Sequence, residues 1–141
     1  MNNDQGLDLY LSEVRQHIDE YTTALDELHK LNNINGFNYL AAERLLQLLT
    51  EVAIGLGKHW LKSTGKGTSS NAYKTFSALE EQNLITQAEL LEWKKIIGLR
   101  NSLVHDYLEI DKAIVRAVVK EKKYQSLLLF CNGAIKALQT V

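Results

Sequence analysis

Apolar residues recur along most of this chain at alternating spacings of three and four residues. In the first stretch these positions are Leu7, Leu11, Val14, Ile18, Tyr21, Leu25 and Leu28. Such spacing places the apolar side chains in one narrow seam along an α-helix and is typical of helix bundles. It predicts a first helix over residues 7–31. The helix should end in the Asn- and Gly-rich stretch 32–36, because these residues tolerate left-handed backbone.

A second and a third helix are predicted over residues 37–61 and 72–82, separated by a Gly- and Ser-rich loop at residues 63–70. Gly55 and Gly57 lie inside the second helix, where each glycine costs about 1 kcal/mol relative to alanine. We therefore expect another backbone to approach this helix closely at the two glycines.

Helix-start signals mark the last two predicted helices. Thr86 and Glu89 have the spacing of a capping box, and Asp111 is a good N-cap residue. The apolar pattern after Asp111 continues towards the end of the chain, with Glu121 as its one polar member, so one long last helix is expected. No alternating strand pattern longer than four residues occurs. The prediction is an all-α, up-and-down bundle of four long helices and one short helix, in a single domain over residues 1–141.

Composition narrows the class of protein. The 141 residues include no proline, which favours uninterrupted helices. Cys131 is the only cysteine, so no internal disulfide can form. No apolar run is long enough to span a membrane, and the polar, acidic start of the chain does not resemble a signal peptide. We therefore expect a cytoplasmic protein in which the Cys131 thiol is buried and reduced.

Charge is distributed unevenly, although the net charge is only −1. Residues 1–31 carry seven acids and two bases (−5), whereas residues 32–141 carry ten acids and fourteen bases (+4). Two stretches are basic: residues 58–74 contain four lysines and no acid, and residues 112–123 contain five bases and one acid. These bases either lie on solvated helix faces or form an electropositive rim for the phosphate backbone of a nucleic acid.

Residues 100–107 concentrate the candidate chemistry, late in the fourth predicted helix. His105 can exchange protons near neutral pH, and Arg100 can stabilise negative charge on phosphorus. Asn101 lies one turn before His105 on the same helix face, whereas Arg100 is about 140° away from His105. Two copies related by a two-fold axis would bring both groups together, with Gly98 allowing the helices to approach. Such residues suffice in principle to cleave RNA by attack of a ribose 2′-hydroxyl without a metal, and no residue cluster with metal-ligand spacing accompanies them.

The order of these residues resembles the signature of the HepT-like branch of HEPN-domain proteins. The signature is Arg100-Asn101, three residues, His105, one residue and Tyr107, and the stretches 83–86 and 98–99 are similar to that branch as well. The resemblance covers most of the chain. It implies a helical, homodimeric endoribonuclease toxin that acts on RNA without a cofactor, with an MntA-type nucleotidyltransferase antitoxin as partner. It also implies that Tyr107 is the hydroxyl to which the antitoxin transfers AMP.

Other interpretations of the same residues stay open. The bundle could be a non-catalytic subunit that binds phosphate or nucleotide for a nucleotidyltransferase. His105 could be a helix histidine that is hydrogen-bonded to a carboxylate or to backbone, and Tyr107 could be a half-buried ring that packs at the helix end. Of the remaining candidates, Trp93 is expected to pack in the core, and His59 either faces the core or contacts RNA.

Overall fold

The computed structural model describes residues 4–67 and 69–140, apart from the side chains of Asp4 and Tyr107. In this part it contains six α-helices and one turn of 3₁₀ helix, and no β-strand. They are α1 (Asp4–His29), α2 (Phe37–Ser63), α3 (Ala72–Glu81), α4 (Gln87–His105), the 3₁₀ turn (Tyr107–Glu109), α5 (Lys112–Lys120) and α6 (Gln125–Gln139). The predicted all-α fold is confirmed. None of these helices is long and apolar enough to cross a membrane.

Helix α2 lies at the centre of the bundle and contacts the five other α-helices. Because neighbours cover it on several sides, its apolar stripe is wide and includes the fully buried Leu49, Ala53 and Leu56. One row of its polar side chains stays at the surface, half-buried or exposed: Arg44, Glu51, Lys58 and Lys62. Helix α2 therefore joins the core of the protein to one charged outer face.

An aromatic cluster holds α3, α4 and α6 together. The rings of Phe76 (α3) and Trp93 (α4) are stacked with their centroids 3.8 Å apart, and Phe130 (α6) meets the edge of Trp93 at 4.9 Å. The predicted core position of Trp93 is thus confirmed. Because such rings pack at interior density, α4 has little freedom to shift relative to its neighbours.

The two glycines of α2 are approached by aromatic side chains and not, as we had expected, by the backbone of another helix. A Cβ atom at Gly57 would lie 3.0 Å from the ring of Phe76, and one at Gly55 would lie 3.3 Å from the hydroxyl of Tyr10. The expected close approach does occur, but the groups that approach are side chains, so the prediction of a backbone partner was wrong. Aromatic rings reach further from their own helices than backbone does, and they fill the space that a missing Cβ leaves.

The single last helix predicted from Asp111 onwards is in fact two helices, α5 and α6. The chain turns at residues 121–124, where Lys122 has a positive φ of 51°. Tyr124 is buried after this turn, and its hydroxyl donates a hydrogen bond of 2.5 Å to the Asp26 carboxylate of α1. Glu121, the polar member of the apolar pattern, ends α5 and pairs with Lys123 at 3.5 Å. The apolar spacing continues through the turn because residues on both sides of it face the same core.

Both predicted helix starts are confirmed, and they set the position of α4 and α5. The Thr86 hydroxyl accepts a hydrogen bond of 3.0 Å from the Glu89 amide, and the Glu89 carboxylate accepts one of 2.8 Å from the Thr86 amide. The Asp111 carboxylate accepts a hydrogen bond from the amide of Ala113. Each bond satisfies an amide that the first turn of a helix leaves without a partner.

Candidate active site

The last two turns of α4 carry the three predicted catalytic residues. Helix α4 ends at His105, because the backbone of Asp106 departs from helical geometry with a φ of −125°. His105 is exposed, whereas Arg100 and Asn101 are half-buried. Asn101 and His105 are one turn apart and share a helix face, as predicted. Tyr107 begins the 3₁₀ turn that follows. The predictions about its hydroxyl lie outside the described residues.

Arg100 is held by a residue that the sequence analysis missed. Its Nη1 atom donates a hydrogen bond of 3.3 Å to Oε1 of Glu51 on α2. The Arg100 side chain is 23% exposed and that of Glu51 is 41% exposed. The Nε atom of Arg100 is buried and has no hydrogen-bond partner among the described residues. The guanidinium group is therefore fixed at one end against α2, and its other donors are not used by a described residue.

His105 and Asn101 are less constrained than Arg100. Neither side chain forms a hydrogen bond or an ion pair with any residue that the structure describes. The interpretation of His105 as a structural histidine with a carboxylate partner therefore finds no support in the described part of the chain. Within a single chain, Arg100 turns towards α2 while His105 lies at the exposed helix end.

A groove of about 620 Å³ lies next to Arg100, between α2, α4, α5 and α6. Its wall is mostly apolar and is formed in part by Leu99, Leu103, Ile114 and Val118. Apolar side chains are also exposed around the end of α4: Val104 is 38% exposed, Leu108 is 85% exposed and Ile114 is 52% exposed. Together with the apolar wall of the groove, these side chains form an apolar surface of the kind that contacts another chain when it is contiguous.

Gly98 does not face open space on this helix. A Cβ atom there would lie 3.9 Å from the Tyr73 hydroxyl of α3 in the same chain. The predicted role of Gly98, to let the α4 helices of two copies approach each other, stays a prediction. A bulky residue at this position would meet Tyr73 first, so such a variant would report on the packing of α3 as well as on assembly.

The two basic stretches are used differently. All five bases of residues 112–123 have a partner inside the protein. The charged groups of Lys112 and Arg116 lie over the ring of Tyr39, and Arg116 also donates hydrogen bonds to Ile34 and Asn35. Lys120 donates to the backbone carbonyls of His29 and Leu31. Lys122 forms an ion pair with Asp26, and Lys123 forms one with Glu121. In the described part of residues 58–74, no lysine side chain has such a partner. Lys112, Arg116 and Lys120 thus hold α5 against neighbouring segments, whereas Lys122 and Lys123 pair at the turn after it. The electropositive rim for phosphate stays a prediction.

The remaining candidates have structural environments. His59 is exposed and does not face the core; its ring lies 4.2 Å from that of Tyr10. Partial burial, and then the positive charge of Lys62, lower the pKa of His59. Cys131 is buried as predicted, and burial raises the pKa of its thiol to about 12. The contact of His59 with RNA stays a prediction.

The site thus consists of a half-buried arginine and an exposed histidine in the last two turns of one helix of an all-α bundle. A family model described as Ribonuclease HepT-like matches residues 10–132. The chain belongs to this HepT-like family, which confirms the resemblance drawn from the sequence.

Two named nucleases are similar to this chain. The tRNA nuclease HepT of Aphanizomenon flos-aquae is 36% identical over 94 residues, which are 62% of this chain and 64% of that protein. The mRNA nuclease HepT of Shewanella oneidensis is 37% identical over 75 residues, which are 53% of this chain and 56% of that protein. The chain therefore matches less than two thirds of the length of each relative.

The fold matches a solved structure over nearly its whole length. The tri-AMPylated HEPN toxin of Shewanella oneidensis, solved in complex with MNT antitoxin, has a TM-score of 0.74 and is 24% identical. The match covers 94% of this chain and 98% of that one. At this level of identity the likeness shows a shared fold.

Proposed function

We propose that the protein is a metal-independent endoribonuclease and the toxin of a HEPN–MNT type toxin–antitoxin pair. The carrying observation is that Arg100 and His105 lie in the last two turns of α4 in a chain of the HepT-like ribonuclease family. The names of the two similar nucleases support RNA as the substrate. The solved complex with MNT antitoxin supports a nucleotidyltransferase as the partner.

The proposed reaction is transesterification at an RNA phosphate. His105 takes the proton from a ribose 2′-hydroxyl or delivers one to the leaving 5′-oxygen. The 2′-oxygen bonds to phosphorus, and the bond from phosphorus to the 5′-oxygen breaks. The products are a 2′,3′-cyclic phosphate and a 5′-hydroxyl. Arg100 stabilises the negative charge on phosphorus through its free N–H groups, while Asn101 orients His105 or the phosphate.

The active form is proposed to be a homodimer. Arg100 and His105 are about 140° apart around α4, and Arg100 is turned towards α2 by Glu51, so one chain does not converge them well. A second copy placed on the apolar surface at the end of α4 would cover Val104 and Ile114. It would also form one composite site from Arg100 and His105 of two chains.

Control by the partner is proposed to act at Tyr107. The hydroxyl oxygen of Tyr107 attacks the α-phosphorus of ATP and loses its proton, and pyrophosphate leaves. The product is an AMP group attached two residues after His105. Its negative charge and bulk would exclude an RNA phosphate from the site. The tri-AMPylated state of the Shewanella toxin supports this form of control.

Cleavage of RNA by the purified protein in EDTA is the decisive test. The products should carry 2′,3′-cyclic phosphate ends, and His105→Ala and Arg100→Ala should each lower the rate by about 10²–10⁴-fold. His17→Ala is the matched control, because His17 is an exposed histidine on α1. Circular dichroism checks that each variant stays helical. Wild-type cleavage by His105→Ala, or a need for a divalent metal, overturns the mechanism. Binding of RNA or nucleotide without any cleavage would favour the non-catalytic subunit.

Assembly and modification have separate tests. Ile114→Glu should convert the dimer to a monomer in light scattering and abolish cleavage, because it places a charge in the proposed interface. Leu129→Glu is the control, since Leu129 on α6 is 75% exposed. After co-expression with the cognate nucleotidyltransferase, intact mass spectrometry should show one or more added AMP groups on the wild type and none on Tyr107→Phe. A monomeric wild-type protein contradicts the composite site, and AMP mapped to another residue contradicts the role of Tyr107.

A further inference from the structure

The outer face of α2 carries a row of cations with no assigned role. Arg44, Lys58 and Lys62 lie along it, with Glu51 as the one acid in the row. We infer that this row binds the phosphate backbone of RNA and leads the strand to Arg100. The inference rests on the proposed ribonuclease function and adds to it the path of the substrate.

Helix geometry aligns the row. Arg44, Glu51 and Lys58 follow one another at intervals of seven residues, and Lys62 follows four residues later. At about 100° per residue, all four lie within about 20° of the Glu51 direction. At about 1.5 Å per residue, the row from Arg44 to Lys62 is about 27 Å long. Such a straight row has the shape of an extended phosphate backbone.

The Arg100 guanidinium joins this row at its centre. Glu51 binds Arg100 at 3.3 Å, so the one carboxylate of the row is paired with a cation from α4. The remaining cations have no acidic partner in the described part of the chain; Arg44 donates only a long hydrogen bond of 3.4 Å to Gln47. A phosphate backbone lying on α2 would therefore meet net positive charge on both sides of Arg100.

The chemistry of the row favours a polyanion over a protein partner. The α2 positions between its cations include the polar Gln47 and the small Gly55, and no large apolar side chain of α2 from Leu45 to Leu61 is exposed. The exposed apolar side chains of α2, Phe37 and Leu40, lie in its first turn, before the row begins. Stable protein interfaces need buried apolar or aromatic anchors at their centre. Contacts to phosphate need only cations and position the strand without reading its sequence.

The test compares two double variants that remove the same charge. Lys58→Gln/Lys62→Gln alters the row, and Lys94→Gln/Lys136→Gln removes two exposed lysines of α4 and α6. The probe is a fluorescent single-stranded 2′-O-methyl oligoribonucleotide, which lacks the nucleophilic hydroxyl and cannot be cleaved. Its affinity is measured by anisotropy over a series of salt concentrations.

The row variant should bind the probe more weakly, and the slope of log affinity against log salt should fall by about 1.4, or about 0.7 for each lost phosphate contact. In cleavage of unmodified RNA, its KM should rise several-fold while kcat stays unchanged. The control variant should keep the wild-type slope and KM. This pattern supports the inference.

Equal slopes for the row variant and the wild type overturn the inference, even if the wild type cleaves RNA. A row variant that binds RNA normally but no longer binds the nucleotidyltransferase also overturns it, because the row would then serve a protein partner. A wild-type protein that neither binds nor cleaves RNA refutes the proposed function itself. These outcomes thus distinguish an error in the proposed RNA path along α2 from an error in the proposed ribonuclease function.

Discussion

Glu51→Gln is the most direct test of how α2 takes part in catalysis. The substitution keeps the size of the side chain and one oxygen acceptor but removes the charge that holds Arg100. Both partners are partly exposed, at 23% and 41%, so solvent screens the ion pair. Pairs of this kind contribute about 0.2–1 kcal/mol. At about 1.4 kcal/mol for each factor of ten, this corresponds to about a 1.4- to 5-fold loss of kcat/KM.

The assay is a double-mutant cycle on RNA cleavage. If Glu51 acts through Arg100, Glu51→Gln should have no effect in the Arg100→Ala background. Glu27→Gln is the matched control, since Glu27 is an exposed acid on α1, away from α4, that pairs with Lys30 at 3.1 Å. The control should cleave RNA at the wild-type rate.

Two results would refute the positioning role of Glu51. An equal loss of kcat/KM in the wild-type and Arg100→Ala backgrounds would show that Glu51 acts elsewhere. A gain in kcat/KM would show that the Glu51 carboxylate competes with the RNA phosphate for Arg100. In that case the ion pair lowers the activity of Arg100 towards RNA and does not position it for catalysis.

Three predictions concern stability. Gly57→Ala should destabilise the protein in urea unfolding, because overpacking against buried Phe76 costs about 1–3 kcal/mol and outweighs the gain of about 1 kcal/mol in helix propensity. Gly133→Ala should stabilise the protein, because a Cβ atom at Gly133 would have no other atom within 4 Å. Thr86→Ala should cost about 1 kcal/mol by removing the α4 cap; unchanged urea midpoints would contradict either expectation. Burial raises the pKa of Tyr10 from 10.0 to about 12, so the stability that its neutral hydroxyl contributes is complete below pH 10 and is lost as the pH rises through 12. Tyr10→Phe should therefore lessen the fall in Tm at alkaline pH, and a fall identical to that of the wild type would contradict this.

Local signals predicted the framework of the site. The capping box of Thr86 and Glu89 and the Asp111 cap depend on residues three or fewer positions apart, and each was confirmed. The end of α4 near the motif followed from the same kind of local chemistry. Because a helix advances by a constant angle, the relative directions of Arg100 and His105 could also be derived from their spacing in the sequence.

Long-range partners could not be derived in the same way. Glu51 and Arg100 are 49 residues apart, and nothing in the α2 pattern separates Glu51 from other surface acids. The turn between α5 and α6 was missed for a related reason. Its Lys122 is neither glycine nor proline, and the buried Tyr124 after it continues the apolar spacing. The turn is fixed by the hydrogen bond from Tyr124 to Asp26 of α1, which is a tertiary contact.

The two basic stretches show why counting charges does not locate a binding surface. The last carbonyl groups of a helix have no partner within it, and α5 lies beside the end of α1. Lys120 donates to the carbonyls of His29 and Leu31 there, and Arg116 donates to the carbonyl of Ile34. These bases satisfy backbone acceptors and are not free for a ligand. The side chains of the lysines of α2 form no hydrogen bond or ion pair in the described part of the chain, so their charge stays available at the surface. A base can recognise phosphate through the donors that the fold leaves unused, and such donors remain on Lys58 and Lys62 of α2 and on the guanidinium group of Arg100 beside them.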